Sequence, residues 1–230
     1  MEKINKDKNL ISIKNLNKKY NNKVIFENFN IDFYKDEVNC IIGKSGCGKS
    51  TLLNIISGVI ENDNNDFGVM ENQDISYIFQ DDRLIDWLTV KENISLVINK
   101  IYDKKQVEEL CDKYLDLVGI KEYKNYYPQR LSGGLRQRVN IARSFIYPSK
   151  VIIMDEPFKS IDVINKEIIM NNFKEILKKE KRTVLFVTHD IEEALILSDK
   201  IYVLGNTPVE IKKIIKKEDN ISKEEIYELI

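Results

Sequence analysis

A glycine-rich run between a strand-like and a helix-like segment is the feature that most constrains the fold of this chain. Residues 43–51 read Gly-Lys-Ser-Gly-Cys-Gly-Lys-Ser-Thr, a complete match to the pattern of a phosphate-binding loop. The apolar residues 38–42 predict a short strand before it, and a helix is expected over about residues 49–57. Glycines let such a loop curl so that its N–H groups point inward, at the positive end of the following helix. The run therefore predicts a unit that binds the phosphates of a nucleotide.

The residues of this loop are expected to divide the contacts with the nucleotide. Lys49 reaches the β- and γ-phosphates as a point charge, Ser50 offers its hydroxyl to Mg²⁺, and Thr51 bonds a further phosphate oxygen. Cys47 lies inside the loop, where a small residue that fits the bend is favoured over a redox role. The predicted nucleotide-binding residues of the loop are Gly43, Lys44, Ser45, Gly46, Cys47, Gly48, Lys49, Ser50 and Thr51.

Two adjacent carboxylates follow an apolar segment further along the chain. Residues 151–154 predict a buried strand, and Asp155 and Glu156 come at its end, where α/β sheets place their ligands. An ordinary strand end with exposed acids is the alternative, and the upstream loop favours catalysis. Asp155 is then expected to help hold Mg²⁺, usually through water, and Glu156 to polarise the attacking water.

Apolar periodicity predicts a sheet around these two motifs. Alternation at residues 11–33 indicates half-buried antiparallel strands in the N-terminal part. Further strands are expected at residues 75–79, 151–154 and 184–187. A helix near residues 163–180 completes the strand–helix–strand order of a parallel sheet.

The remaining segments are expected to be helices and turns. Residues 62–66 form a predicted polar turn, and residues 84–127 have apolar side chains at the three- and four-residue spacing of helices. Ser132 is a candidate cap for a helix that runs to Tyr147 and stops at a proline. Beyond Lys212, lysines alternate with isoleucines, and we expect a terminal helical hairpin there.

Composition excludes several kinds of partner. The chain has 36 Lys and Arg against 37 Asp and Glu, so no global field favours DNA, RNA or an anionic membrane. Its apolar runs are too short to cross a bilayer, and its first ten residues lack the apolar core of a signal peptide. Three cysteines without metal-ligand spacing are typical of a reduced, cytosolic setting.

A second glycine motif indicates which kind of nucleotide-binding protein this is. Residues 131–134 read Leu-Ser-Gly-Gly, which places a hydroxyl and glycine N–H groups at a predicted helix start, suited to an anion. Together with the phosphate loop and the acidic strand end, this motif resembles the ATP-binding subunit of ATP-binding cassette (ABC) proteins over nearly the whole chain. The resemblance implies an α/β P-loop NTPase cassette over residues 1–230. Its expected parts are a mostly parallel core sheet, an N-terminal antiparallel β subdomain and a helical signature subdomain at about residues 84–148.

The resemblance also implies roles for four single residues. Gln80 would contact Mg²⁺ and the lytic water, and His189 would be the switch histidine that contacts the γ-phosphate and supports the water held by Glu156. Asp162 falls in the D-loop, which communicates across the dimer. Tyr20 stands where the family has the aromatic that stacks on adenine.

The signature motif implies a dimer. In the family, Ser132, Gly133 and Gly134 close over the γ-phosphate held by the loop of the other subunit. One copy of each motif per chain therefore implies a second copy of the chain, or a similar cassette, and two ATPs at the interface. Leu135 departs from the family, which usually has Gln there, but the residues that bind the anion are present.

Residues 79–93 indicate a particular group within the family, because they resemble importers of the nitrate/sulfonate/taurine type. Asp86 departs from that group, in which a proline is expected. In that group, ATP closure drives an integral membrane permease from the cytoplasmic side of the cell membrane, and an extracytoplasmic protein delivers the solute. In that group, a groove beside the residue that corresponds to Gln80 receives a permease helix. The alternative is that Trp87 belongs to the apolar core of this chain. The predicted lining of the groove is Arg83, Leu84, Ile85 and Trp87.

Other classes remain as alternatives. An exporter or a lipoprotein-release ATPase shares the motifs but more often lacks the Trp-Leu-Thr-Val stretch. A soluble ABC ATPase acting in translation or on DNA usually has two cassettes or a long coiled-coil insertion, and a small-molecule kinase would not explain Leu-Ser-Gly-Gly. The solute stays open among nitrate, an alkanesulfonate, a pyrimidine vitamin precursor and other small molecules.

Overall fold

An antiparallel hairpin comes first in the part of the chain that we describe, residues 9–64, 75–219 and 221–230 of a computed structural model. Strand β1 (Asn9–Tyr20) pairs with strand β2 (Lys23–Tyr34), and Ile13 lies opposite Ile31. Both isoleucines are buried, whereas polar residues at intervening positions are exposed. The predicted N-terminal antiparallel subdomain is confirmed.

A six-stranded, mostly parallel sheet forms the centre of the fold. Its order is β4-β5-β6-β3-β7-β8, and only β8 runs antiparallel to its neighbour. The carboxyl ends of the parallel strands therefore meet at one edge, where α/β folds bind ligands. The strands are β3 (Val38–Gly43), β4 (Ile75–Ile78), β5 (Val151–Asp155), β6 (Thr183–Val187), β7 (Lys200–Gly205) and β8 (Glu210–Lys216).

Both faces of this sheet are covered, which explains why its central strands are apolar without alternation. Along β5, Ile152 and Met154 point into a core shared with helices, whereas Val151 and Ile153 point into a core shared with the hairpin and the helix after the phosphate loop. Every residue of β3, β5 and β6 is buried. The phosphate loop and the acidic strand end are thus attached to fully buried strands at the centre of the sheet.

Helices cover one face of the sheet, and α1 (Lys49–Ile56) together with the hairpin covers the other. Side-chain caps mark several helix starts: Thr89 and Asp103 form capping boxes, and Ser132 and Asp162 accept bonds from the third residue of their helices. No helix within the described ranges is both long and apolar enough to cross a membrane. The helices are α1 (Lys49–Ile56), α2 (Val90–Ser95), α3 (Lys104–Leu117), α4 (Gly133–Ile146), α5 (Val163–Glu180), α6 (Ile191–Leu197) and α7 (Lys223–Leu229).

The segment predicted as helical packs on the sheet through α4. Residues of α2, α3 and α4 share one apolar core with the sheet and α5, in which the Phe145 and Phe173 rings meet edge to face at 4.3 Å between centroids. Helix α4 ends at Ile146, one residue before the predicted end, and α5 has the predicted bounds. The polar turn expected at residues 62–66 lies partly outside the described residues.

The terminal helical hairpin predicted beyond Lys212 is wrong. Residues up to Lys216 belong to β8, where Ile215 pairs with Ile201, and α7 is the one α-helix that follows among the described residues. The isoleucines at 211, 214 and 215 have the spacing of a helix face, but the open edge of β7 offers them a strand partner instead. Ile215 is buried by this pairing and Ile214 is 46% exposed, so tertiary contacts overrode the local pattern.

Candidate functional site

A cavity of about 500 Å³ lies at the carboxyl ends of β3, β5 and β6. It brings together residues from five segments that are distant in sequence. A larger cavity, of about 690 Å³, lies at the opposite sheet edge beside Lys150 and Thr183 and holds none of the predicted site residues. The residues that line the smaller cavity are Tyr20, Ile25, Ser45, Gly46, Gly48, Lys49, Ser50, Thr51, Gln80, Glu156, Lys159, Val187 and His189.

The phosphate loop is wedged tightly between β3 and its neighbours. A Cβ on Gly43, at φ 154°, would lie 2.4 Å from the Leu204 carbonyl oxygen, and one on Gly48, at φ 109°, would lie 2.8 Å from Ile25 Cγ2. Both positions therefore require glycine. Cys47 is buried beside Gly43, as expected for a small residue that fits the bend.

Lys49 supplies the positive charge at the centre of this loop. Its side chain is buried, and Nζ donates hydrogen bonds to the carbonyl oxygens of Gly43, at 2.8 Å, and Lys44, at 2.9 Å. The ammonium is thus held across the loop, next to Ser50 and Thr51 at the positive end of α1. This arrangement suits a polyphosphate.

Asp155 is a buried carboxylate placed for a cation. It is 5% exposed, and its Oδ1 has no hydrogen-bond partner among the described residues. Burial raises the pKa of Asp155 and the charge of Glu156 adds to the rise, although Ser50 and Lys49 act in the opposite direction. An unpaired carboxylate oxygen beside a serine hydroxyl is the donor set that Mg²⁺ takes in phosphate sites, so these residues fit that ion.

Glu156 and His189 are joined by a hydrogen bond. The register of β5 and β6 sets Asp155 opposite Val187, which brings the two following loops side by side, and His189 Nδ1 bonds Glu156 Oε2. Glu156 has φ 51°, a left-handed conformation rare for a non-glycine residue, and its N–H donates to the Val187 carbonyl at 2.9 Å. Such strain is found where a functional side chain must be aimed, here towards the cavity.

Tyr20 and Gln80 complete the cavity from the hairpin and from the loop after β4. Tyr20 ends β1 and is 44% exposed, so a face of its ring is available for stacking. Lys159, which the motifs did not single out for nucleotide binding, also lines the cavity, and its N–H donates to the Glu156 carbonyl at 3.3 Å. A lysine three residues after the second carboxylate is the signal that would have found it.

The signature motif and Asp162 do not line this cavity. Ser132 and Gly133 are exposed, and Ser132 Oγ accepts from Leu135 N at 3.4 Å. A Cβ on Gly134 would lie 2.7 Å from the Ser160 carbonyl oxygen, so the start of α4 rests against the loop before α5. Asp162 bonds Arg138 of α4 at 3.2 Å. The motif and the D-loop therefore form one separate, exposed surface.

The loop after β4 is fixed to α4. Asp82 accepts two bonds from the guanidinium of Arg136, at 2.7 and 3.1 Å, and this lowers its pKa. Arg143 donates to the carbonyl oxygens of Asp82 and Arg83, each at 3.0 Å. These bonds tie the loop after β4 to the helix that carries the signature motif at its start.

Trp87 projects from this anchored loop into solvent. It is 79% exposed, so the alternative of a core tryptophan is wrong. Leu84 and Ile85 beside it are half-buried, and the Arg83 guanidinium lies 3.6 Å from the centroid of the Phe79 ring. The four residues predicted to line a groove therefore share one exposed loop.

Known proteins match most of the chain. A family model described as ABC transporter matches residues 26–159. The aliphatic sulfonates import ATP-binding protein SsuB of Bacillus thuringiensis subsp. konkukian is 36% identical over 205 residues, which cover 86% of this chain and 80% of that protein. The nitrate import ATP-binding protein NrtD of Synechococcus elongatus is 37% identical over 196 residues, covering 80% and 71%. A dimeric ATP-binding cassette in a post-hydrolysis state, bound to ADP and Pi, has a TM-score of 0.80 at 27% identity, covering 90% of this chain and 99% of that one.

These matches confirm the predicted family and the predicted cassette fold. The matched segment contains the phosphate loop, the signature motif and both carboxylates, and the similar solved cassette was captured with the products of ATP hydrolysis. The chain belongs to the ABC transporter family, as an ATP-binding subunit with ATPase activity.

Proposed function

We propose that this chain is the ATP-hydrolysing subunit of an importer for a small solute, and that closure of two copies around ATP drives a membrane permease. One observation carries the proposal: the phosphate loop, Glu156 and His189 share a cavity, whereas the signature motif lies on a separate exposed surface. Such a chain holds two half-sites that a second copy completes. We treat residues 1–230 as one domain, with a helical subdomain at about residues 84–148.

The cavity binds ATP at both ends of the nucleotide, the adenine and the phosphates. Tyr20 stacks on the adenine, while the N–H groups of the loop and Lys49 bind the phosphates. Ser50, Asp155 and Gln80 would hold Mg²⁺, which would neutralise charge on the phosphate oxygens. Lys159 adds a second cation at the cavity wall.

Hydrolysis then depends on Glu156 and His189. Glu156 accepts the proton of the attacking water, and His189 orients this carboxylate through the bond from Nδ1 and contacts the γ-phosphate. The backbone strain at Glu156 and its bond to the Val187 carbonyl fix the direction of approach.

A second copy of the chain supplies the rest of each site. Ser132, Gly133 and Gly134 of one copy close over the γ-phosphate bound by the other. Two aliphatic residues directly after Asp162 support this contact, because Val163 is 76% and Ile164 73% exposed. Apolar side chains so exposed beside a polar loop are typical of a surface that another chain covers.

The exposed loop around Trp87 is the contact with the permease. Trp87, Leu84 and Ile85 offer an aromatic anchor among aliphatic side chains, as helix-binding grooves do. Arg136 and Arg143 tie this loop to α4, so closure of the dimer moves the bound permease helix. Through the same bonds, a change in the position of the permease helix moves the signature motif at the start of α4.

The relatives favour an importer over an exporter, since their names assign them to the import of sulfonates and nitrate. We therefore assign this chain to the cytoplasmic face of the cell membrane, with permease subunits as direct partners and an extracytoplasmic solute-binding protein as an indirect one. Nucleic acid is not a partner in this scheme. A small organic or inorganic anion is the favoured solute.

Co-purification from gently solubilised native membranes tests this function. A tagged chain should recover a multi-spanning permease, identified by mass spectrometry. The Trp87→Ala variant should lose it while binding ATP normally. Tyr227→Ala, which alters an exposed aromatic of α7, is the matched control and should keep it. Recovery only from the soluble fraction, with ribosomes, DNA or no partner, would refute the transport function and leave the ATPase chemistry standing.

A further inference from the structure

A partly buried ionic network lies directly behind the switch histidine. Its members are Thr188, which is 1% exposed, Glu193, which is 4% exposed, Asp190 and Lys166. Thr188 and Asp190 are the two neighbours of His189 in the chain. None of the four lines the nucleotide cavity, so none has a role in the scheme above.

The network fixes the backbone on both sides of His189. The Thr188 hydroxyl donates to Glu193 Oε2 at 2.6 Å and accepts from Asp190 N at 3.0 Å. Asp190 Oδ1 accepts from Glu192 N at 2.9 Å and so caps α6. The His189 side chain itself is 65% exposed, so its direction depends on this held backbone and on the bond to Glu156.

Lys166 is the cation that balances this network. Its Nζ lies 2.5 Å from Asp190 Oδ2 and 2.9 Å from Glu193 Oε1, and it bridges the two carboxylates. Burial lowers the pKa of Lys166, but the hydrogen bonds to Asp190 and Glu193 outweigh this and raise it, so the side chain stays charged. Without the ammonium, two negative groups, one of them buried, would face each other.

Lys166 also belongs to the first turn of α5, next to the D-loop. Its N–H donates to the Asp162 carbonyl at 2.8 Å, and the Asp162 carboxylate caps the same helix and bonds Arg138 of α4. A continuous set of bonds therefore runs from the surface that meets the second copy, through one lysine, to the loop that carries His189.

We propose that Lys166 is a positioning residue for hydrolysis, which ties the start of α5 to the backbone on either side of His189. This inference rests on the proposed role of His189 at the γ-phosphate. Loss of the ammonium removes the restraint on the backbone of Thr188 and Asp190, so that the side chains of His189 and Glu156 are no longer held in alignment. A displacement of about 1 Å costs up to about 100-fold in rate when groups must be aligned.

Steady-state ATPase assays on three variants give the first test. Lys166→Met removes the charge at similar length, and kcat should fall about 10- to 100-fold with KM for ATP changed by less than about 2-fold. Lys166→Arg should restore most of kcat, because a guanidinium can bond both carboxylates. Lys178→Met is the matched control on α5, since its partner, Glu175, is an exposed residue of the same helix, and it should behave as wild type. Equal kcat for Lys166→Met and wild type would overturn the inference.

A double-mutant cycle with His189→Ala decides whether Lys166 acts through the histidine. In the His189→Ala background, Lys166→Met should lower kcat by less than about 2-fold, since the group it positions is gone. Fully additive losses of kcat would refute the positioning role of Lys166 and leave the role of His189 standing. If His189→Ala itself kept the wild-type kcat, both roles would fall together.

Folding is checked by the Tm and by binding of a fluorescent ATP analogue. Should Lys166→Met fail to fold, Thr188→Val replaces it in the cycle, because it deletes the hydroxyl that bonds both Glu193 and the Asp190 N–H. The same loss of kcat, absent in the His189→Ala background, is then expected. Additive losses for Thr188→Val would equally refute the network.

Discussion

The substitution Glu156→Gln removes a single proton acceptor and leaves its surroundings in place. The amide has the shape of the carboxylate, and its Oε1 can still accept the bond from His189 Nδ1. The backbone bond from Glu156 N to the Val187 carbonyl, at 2.9 Å, does not involve the side chain. We therefore expect a Tm within about 2 °C of wild type, as for a change that opens no cavity and breaks no hydrogen bond.

The effect on turnover is expected to be large. A positioned general base contributes about 10²- to 10⁴-fold to the rate. This corresponds to about 2.7–5.4 kcal/mol of transition-state stabilisation at about 1.36 kcal/mol per decade. ATP affinity should not fall, because Lys49 and the loop N–H groups hold the phosphates and because the variant has one negative charge fewer near them.

Single-turnover hydrolysis, together with light scattering of the eluted species, measures both consequences. With millimolar ATP and Mg²⁺, the variant should accumulate as a dimer that the wild type forms only transiently. Glu167→Gln, on the exposed side of α5 and outside the cavity, is the matched control and should turn over normally. A variant that hydrolyses ATP within about 3-fold of wild type would refute the assignment of the base, and one that stays monomeric would refute the shared site.

Other substitutions test single parts of the site. Lys49→Ala should abolish nucleotide binding in a titration with a fluorescent analogue, and unchanged affinity would reject the loop assignment. Asp155→Asn should abolish Mg²⁺-dependent hydrolysis yet raise the Tm of the nucleotide-free chain at pH 7. Because the pKa of Asp155 is raised in the folded chain, ionisation of this carboxyl lowers the free energy of unfolding as the pH rises above its pKa in the unfolded chain. The rise in Tm of the Asp155→Asn variant over wild type should therefore vanish in acid. Gly134→Ala should lower kcat about 10-fold or more by pushing on Ser160, with a smaller loss for Gly133→Ala, whose Cβ would meet nothing within 4 Å.

Local chemistry explains what could be read from the sequence. The phosphate loop, the acidic strand end and the signature motif each lie within nine residues of chain, and each requires particular backbone geometry or charge over that short range. Buried parallel strands gave unbroken apolar runs, and caps such as Ser132 and Asp162 marked helix starts. The family, the cassette fold, the loop residues and Glu156 followed from such local signals. Tyr20, Gln80 and His189 followed only from the family resemblance, and Lys159 was missed.

Tertiary structure decided where distant segments meet. The bond between His189 and Glu156 depends on the register of β5 and β6, and the exposure of Trp87 depends on how Arg136 and Arg143 hold its loop. Beyond Lys212 the lysine and isoleucine spacing indicated a helix, but the open edge of β7 made it a strand. The network around Lys166 was invisible in the sequence, because a lysine on a helix is normally solvated. Only the fold brings two carboxylates, from the cap and the first turn of α6, against it. Glu156 and His189 are 33 residues apart and Lys166 and Asp190 are 24 apart, so no short stretch of sequence shows that they meet. Strand β8 pairs with its neighbour in sequence, but β7 is available to it only because β3, far away in sequence, holds β7 in the sheet.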